Sequence, residues 1–247
     1  MGTLLLVRHA QASFLSDNYD RLSALGIDQA RQLGRYWSAR GEGFDAVVVG
    51  PRRRHAHTAE VVLEALGGPA PSTLEELDEY PAEEVLTSRL SSLLEARPDL
   101  VPLSLELAGP DHQRRGRAVD LLLREALRDW ILREDTSEAH LSWQSFRQRV
   151  AGALGAITQS EGRGRRVLVV SSAGTIGALA AEVLAAPPET ALELGFMLNN
   201  AAVTEIVYSP GNRSLARFNV LSHLPEATDG TRRCFGGPAA GTLDLEV

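Results

Sequence analysis

The chain has 247 residues and a formal net charge of -7, with 44% hydrophobic and 23% charged residues, a globular balance that excludes a disordered, collagen-like or disulfide-stapled protein. All 25 basic residues are Arg and Lys is absent, which removes Schiff-base chemistry, pyridoxal phosphate attachment and the lysine of a P-loop. Phosphate handling would fall to Arg, His and backbone amides.

Residues 3–7 are a short apolar run ending at Arg8-His9, as a buried strand does when it delivers polar residues to a loop. Residues 22–39 read as an amphipathic helix, and residues 45–49 as a second, β-branched strand. Gly50-Pro51 follows, then a helix from about 54 to 66 that stops at Gly67-Gly68. Residues 81–160 carry helical patterns only, at 83–95, 119–132 and 143–157. They read as an insertion covering the carboxyl ends of the strands. The strand-helix pattern returns at 166–171, leading through Ala173-Gly174 into a helix that ends before Pro187-Pro188. Two further strands are expected at 202–208 and 214–220. After Glu226 the chain turns to Gly, Pro, Thr and Ala, the composition of a loose tail over about 227–247. The alternation predicts one α/β domain over 1–247, a three-layer α/β/α sandwich around a mainly parallel sheet with the helical insertion at about 81–160.

The lone Cys234 has no internal disulfide partner, so the expected compartment is a reduced cytoplasm. No stretch approaches the ~18 apolar residues of a membrane span. The acidic balance argues against general nucleic-acid binding, although Arg52-Arg53-Arg54 and Arg114-Arg115-Arg117 are local basic clusters.

The segment Leu6-Val7-Arg8-His9-Ala10-Gln11-Ala12-Ser13 puts a guanidinium beside an imidazole at a strand end. Phosphoryl transfer to His requires such a pair: Arg binds the oxygens bidentately while neutral His attacks phosphorus. Nearby guanidinium charge disfavours imidazolium and holds the nucleophile reactive near neutral pH. A surface Arg-His pair would account for the dipeptide taken alone. A second segment, Gly50-Pro51-Arg52-Arg53-Arg54-His55-Ala56-His57-Thr58-Ala59-Glu60, again follows a strand and brings Arg54 to the entrance of a helix.

Together these segments resemble the histidine phosphatase superfamily, or phosphoglycerate mutase-like family, in which strand-Arg-His-Gly is followed by Ser-Pro-x-x-Arg-Ala-x-x-Thr-Ala. Leu22-Ser23-x-x-Gly26-x-x-Gln29-Ala30 is similar to that family's first helix and Asn200-Ala201-Ala202-Val203-Thr204 to its late strand motif. Phe218-Asn219 followed by His223-Leu224 looks like the carboxyl-terminal signature of one bacterial branch.

The resemblance implies a phosphomonoesterase without metal or organic cofactor, in which His9 takes the phosphoryl group and Arg8 and Arg54 neutralise its oxygens. Gln11, Ser13, Ser172 and Ala173 are the expected substrate contacts. The family's proton-donating Glu, in a Leu-x-Glu context, fits both Leu74-Glu75-Glu76 and Leu77-Asp78-Glu79. Glu79 is preferred to Glu76 on its spacing from Thr58. Such an acid needs a pKa raised by burial or bound phosphate, which a solvated acidic strand end would not provide. The implied partner is a phosphorylated substrate, small molecule or phosphoprotein, with neither nucleic acid nor membrane. A homodimer through exposed strand or helix edges is compatible. A mutase-like phosphotransferase and a catalytically weakened phosphate-ligand binding protein are the alternatives.

Two departures keep them open. Val170-Ser171-Ser172-Ala173-Gly174 stands where the family has strand-Ser-His-Gly-Gly, so Ser172 replaces the second histidine, which helps bind the transferring group. A hydroxyl supplies a hydrogen bond but no positive charge. Ala10 replaces the Gly after the nucleophile, so the loop must adopt an ordinary conformation or carry strain. His55 and His57 are expected to face away from the pocket, with nothing beside them to complete a metal-ligand set. His112, His140 and His223 are expected to be structural or surface residues, Arg52 and Arg53 solvated, and Trp130 and Trp143 core anchors of the insertion.

Overall fold

The computed structural model of the chain describes residues 1–13, 20–132, 142–160 and 164–224. The tail at 227–247, with Cys234, and His140 lie outside the described residues.

A six-stranded sheet is built on β1 (Gly2–Arg8), with strand order β3-β2-β4-β1-β5-β6. β2 (Ala46–Val49), β3 (Ser72–Thr73) and β4 (Arg166–Ser171) run parallel to β1. β5 (Val203–Ser209) and β6 (Asn212–Val220) run antiparallel to their neighbours along one edge. Consecutive β1 side chains point to opposite faces and both faces are covered, so the strand is apolar from Leu4 to Val7. Leu5 and Val7 pack with Leu33 and Trp37 of α1 (Ala24–Ser38) and with Val61 and Val62 of α2 (Arg53–Leu66). On the other face Leu4 and Leu6 join Ile176 and Leu179 of α7 (Ala173–Val183) and Ala191 and Leu192 of α8 (Pro188–Met197). These two cores on either side of one sheet make the three-layer sandwich expected from the sequence.

The insertion consists, among the described residues, of α3 (Ala82–Ala96), α4 (Val101–Glu106), α5 (His112–Leu132) and α6 (Trp143–Ser160). Helix α5 begins at His112 rather than at 119, because the Asp111 carboxylate accepts the N–H groups of Gln113 and Arg114 at 2.9 and 3.1 Å and starts the helix early. Trp130 and Trp143 are buried as expected, in one cluster with Tyr80 and Phe146 whose ring centroids lie 5.4 to 6.0 Å apart. From α6, Arg149 donates to the carbonyl oxygens of Glu76 and Asp78 at 2.9 and 3.0 Å, with those of Glu75 and Glu79 at 3.4 Å. The insertion thereby grips the segment that leads to Glu79. Among the described residues no helix is long and apolar enough to cross a membrane.

Candidate active site

The three central parallel strands end level with one another. Arg8 is in register with Ser171 and Val49 with Val170, and the His9 N–H donates to the Ser171 carbonyl at 2.9 Å. Arg8-His9 and Ser171-Ser172 therefore leave the sheet side by side. From the end of β2, Gly50-Pro51 leads directly into α2, whose first turn carries Arg54 and His55.

The loop after β1 is pinned from several directions. The Ala10 N–H donates to Thr58 Oγ1 at 3.1 Å, and Thr58 Oγ1 donates to the Arg54 carbonyl at 2.7 Å. The Gln11 N–H reaches Gln29 Oε1 at 3.0 Å. Ser23 Oγ donates to Gln11 Oε1 at 2.8 Å while accepting the Gly26 N–H at 3.0 Å as the cap of α1. A Cβ on Gly26 would collide with the Gln11 carbonyl oxygen. The Leu22-Ser23…Gly26…Gln29 pattern thus docks α1 onto the loop and leaves no room for a side chain. Asn200 Nδ2 and the Ala201 N–H bond the His9 and Arg8 carbonyls, each at 3.1 Å. Ala10 is buried in an ordinary conformation: among the described residues, the non-glycine residues with positive φ are Ala185, Ala201 and Asn219. The loop accommodates alanine without left-handed strain.

His9 is 3% exposed, and its Nδ1 lies 2.8 Å from the Ala10 carbonyl oxygen. A carbonyl only accepts, so Nδ1 carries the proton and Nε2 keeps its lone pair. Burial, followed by the Arg54 and Arg8 charges, holds the imidazole pKa well below its ordinary value. Both guanidinium groups are buried. Arg8 Nη1 donates to the Leu198 carbonyl, and Nε has no hydrogen-bond partner among the described residues. Arg54 Nη1 pairs with Asp20 Oδ1 at 2.8 Å, and Nη2 lies 3.4 Å from Ser172 Oγ. Asp20 also accepts the N–H groups of Arg53 and Arg54, at 2.8 and 3.4 Å. It caps α2 from outside the helix, where the Arg52 side chain at the cap position makes no cap bond.

Glu79 and Glu76 part here. Glu76 is exposed, whereas the Glu79 carboxylate accepts the Gly174 N–H at 3.1 Å through Oε2 and the Tyr80 N–H at 3.1 Å through Oε1. Burial raises the Glu79 pKa against the pull of those two N–H groups and of Arg54 and Arg8. A Cβ on Gly174 would collide with the Tyr80 ring and Glu79 Oε1, so this glycine admits the carboxylate to the start of α7. Of the other acids in that run, Glu75 is exposed and Asp78 pairs with Arg52 at 2.5 Å.

Arg8, His9, Arg54, Glu79 and Ser172 are thus gathered at one end of the sheet. Gln11 is used differently from the expectation: its side-chain oxygen holds Ser23. The Ser13 N–H bonds the Arg21 carbonyl at 2.8 Å, and Ala173 opens α7. His55 corrects the sequence reading. It faces inward, fully buried, with its ring centroid 5.7 Å from that of His9 and Nε2 2.7 Å from Ser172 Oγ. The signal was in the sequence: His55 stands four residues before Ala59 and seven before Val62, on the buried face of α2. Burial, then Arg54, lowers its pKa to about 3. His57 is only partly buried, and His112 is exposed beside Arg115. Arg53 is exposed. Asp20 and Arg149 carried no motif that would have singled them out. Among the described residues, no group of three or more His, Cys, Asp or Glu side chains is arranged to hold a metal ion.

A sequence model of the histidine phosphatase superfamily (branch 1) matches residues 4–105 and 106–221. A 70-residue stretch is 36% identical to the 2,3-bisphosphoglycerate-dependent phosphoglycerate mutase of Methylorubrum extorquens (strain PA1), covering 26% of this chain and 33% of that protein. The match therefore spans about a third of the length of this curated relative. Among solved structures, the phosphoserine phosphatase of Entamoeba histolytica in complex with 3-phosphoglyceric acid superposes with a TM-score of 0.60 at 18% identity, over 91% of this chain and 100% of that one. The alpha-ribazole phosphatase of Shigella flexneri gives 0.59 at 19% identity, over 89% and 96%. At such identities the likeness is one of fold.

Proposed function

Because the chain belongs to branch 1 of the histidine phosphatase superfamily, we propose that it is a phosphomonoesterase that passes a phosphoryl group to His9 and then to water. The observation that carries this reading is the state of His9: buried, neutral, with Nδ1 tied to the Ala10 carbonyl, so that Nε2 keeps its lone pair, and under the charges of two buried guanidinium groups.

In the first step Nε2 attacks phosphorus in line, the N–P bond forms and the P–O bond to the leaving group breaks. The imidazole becomes cationic, and the Nδ1–H bond to the Ala10 carbonyl strengthens as it does. Arg8 and Arg54 neutralise the phosphoryl oxygens, where charge is most exposed in the transition state. Glu79, whose pKa is raised by burial, serves in its protonated form and gives its proton to the departing oxygen. In the second step Glu79, now a carboxylate, takes a proton from water as that water attacks phosphorus. The N–P bond breaks, phosphate leaves, and His9 and Glu79 return to their starting states. The substrate is a phosphorylated compound and the setting cytoplasmic. Gln11 acts on this loop by holding Ser23, while Ser172 offers a hydroxyl to the phosphoryl group.

A mutase-like phosphotransferase is the second reading, favoured by the 70-residue match to a phosphoglycerate mutase. Turnover of a generic aryl phosphate tests the first: His9→Ala should lower kcat on the order of 10³-fold or more. Positional transfer of phosphate on a phosphoglycerate, outpacing its hydrolysis, would establish the mutase instead. Tight phosphate binding without turnover would leave only a binding protein.

A further inference from the structure

We propose that His55 is a positioning residue for phosphoryl transfer: it donates its Nε2 proton to Ser172 Oγ and thereby turns the Ser172 hydroxyl proton onto a phosphoryl oxygen. The inference rests on the reading that His9 is the nucleophile, since it concerns the oxygens of the group that His9 receives.

Three observations converge on it. The first is the contact itself: both residues are buried, and Nε2 lies 2.7 Å from Oγ. Ser172 Oγ in turn lies 3.4 Å from Nη2 of Arg54, so the hydroxyl sits between the imidazole and a phosphate-seeking guanidinium. A hydroxyl that accepts from both has its own hydrogen left for an anion.

The second is what Ser172 gives up. It occupies the N-cap position of α7, where serine ordinarily accepts a backbone N–H from its own helix, yet it makes no side-chain cap bond. Its hydroxyl is turned towards His55 and Arg54.

The third is the burial of His55. A wholly buried imidazole in the first turn of a helix is a costly way to fill space, because its polar ring nitrogens are taken out of water. It remains neutral there and carries a single N–H. Its Nε2 meets Ser172 Oγ, while Nδ1 faces Gly50 without a hydrogen bond of ordinary geometry among the described residues. Room for the ring comes from Gly50, where a Cβ would collide with Nδ1. Set against the motifs Ser-Pro-x-x-Arg-Ala and Ser-His-Gly-Gly, the chain changes at Gly50, His55 and Ser172. These three positions adjoin one another: glycine makes space for the His55 ring and serine meets its Nε2.

The test is steady-state kinetics on an aryl phosphate, with the melting temperature of each variant recorded alongside. Gln keeps an N–H near the Nε2 position and Leu fills similar volume without one, so His55→Gln should retain most of kcat. His55→Leu should lose about tenfold or more, with KM changing less because the donor acts on charge that develops in the transition state. Ser172→Ala should lose ~10²-fold. Adding His55→Leu to Ser172→Ala should cost less than about threefold further, because His55 works through Ser172. His55→Ala combined with Ser172→His, which places the imidazole just after β4, should recover kcat to within about tenfold of wild type. Equal kcat for His55→Leu and wild type, or fully additive losses in the double variant, overturns the proposal. If those results appear while His9→Ala is inactive, this inference alone fails. If His9→Ala turns over like wild type, the underlying phosphatase reading fails.

Discussion

Lowering the pH from 7 to 5 should destabilise this protein strongly, and the size of the effect follows from its buried histidines. The pKa of His55 is lowered to about 3 by burial and Arg54, and that of His223 to about 4 by burial. In the unfolded chain both return to about 6.5. The unfolded state therefore binds protons that the folded state refuses, so stability present above pH 6.5 is lost as the pH falls below it. Between pH 7 and pH 5, protonation favours the unfolded chain by about 1.9 kcal/mol per histidine, while the folded protein gains almost nothing. His55 and His223 together should lower the unfolding free energy by about 4 kcal/mol, a large share of the ~5–15 kcal/mol typical of a domain. His9, lowered in the same direction, adds to the loss. Glu79, raised by burial, works the opposite way by taking up a proton in the folded state, and offsets part of it. Urea unfolding at pH 7, 6 and 5 measures the slope. His223→Phe, which keeps a ring edge-on to Tyr36, should remove about 2 kcal/mol of the acid-induced loss. A level unfolding free energy across this range, or a His223→Phe variant with the wild-type slope, would refute the reasoning.

Other expectations concern Glu79 and the segment that holds it. Glu79→Gln should cut kcat by ~10²–10⁴-fold on alkyl phosphates, and far less on aryl phosphates whose leaving group departs without a proton. The wild-type rate should fall as the pH rises through the elevated Glu79 pKa, since only the protonated acid serves. A pH-rate profile of Glu79→Gln should lack that alkaline limb. Gly174→Ala should lower kcat by displacing the carboxylate, which kinetics on an alkyl phosphate will show. Arg149→Ala leaves the Glu76 and Asp78 carbonyls without their donor and should cost about 1–3 kcal/mol of stability by denaturant titration, with a parallel fall in kcat.

What could be read from the chain depended on how each element is stabilised. Strands β1, β2 and β4 are covered on both faces, so their apolar runs were plain. Ser72–Thr73 of β3 is too short and polar to show any period. Pro187-Pro188 marks an end, but it also begins α8, because Pro188 occupies the first helical position, where its missing N–H costs nothing. In the site, Arg8, His9 and Arg54 were legible because charged residues directly after strand ends have few places to go. Spacing from Thr58 favours Glu79 over Glu76, whereas the room that Gly174 makes for the Glu79 carboxylate depends on a residue 95 positions away. The inward turn of His55 runs against its polarity and follows its helical register, on the buried face of α2 with Ala59 and Val62. Asp20 and Arg149 were invisible because they act on backbone groups remote in sequence, and such contacts have no residue pattern of their own.

The central claim is that His9 carries the phosphoryl group. Rapid mixing with an aryl phosphate, followed by alkaline quench and mass-spectrometric mapping, should find an acid-labile, base-stable phosphoryl adduct on His9 that forms before product release and is absent from His9→Ala. An adduct on any other residue, or turnover by His9→Ala at the wild-type rate with no adduct, would contradict the account.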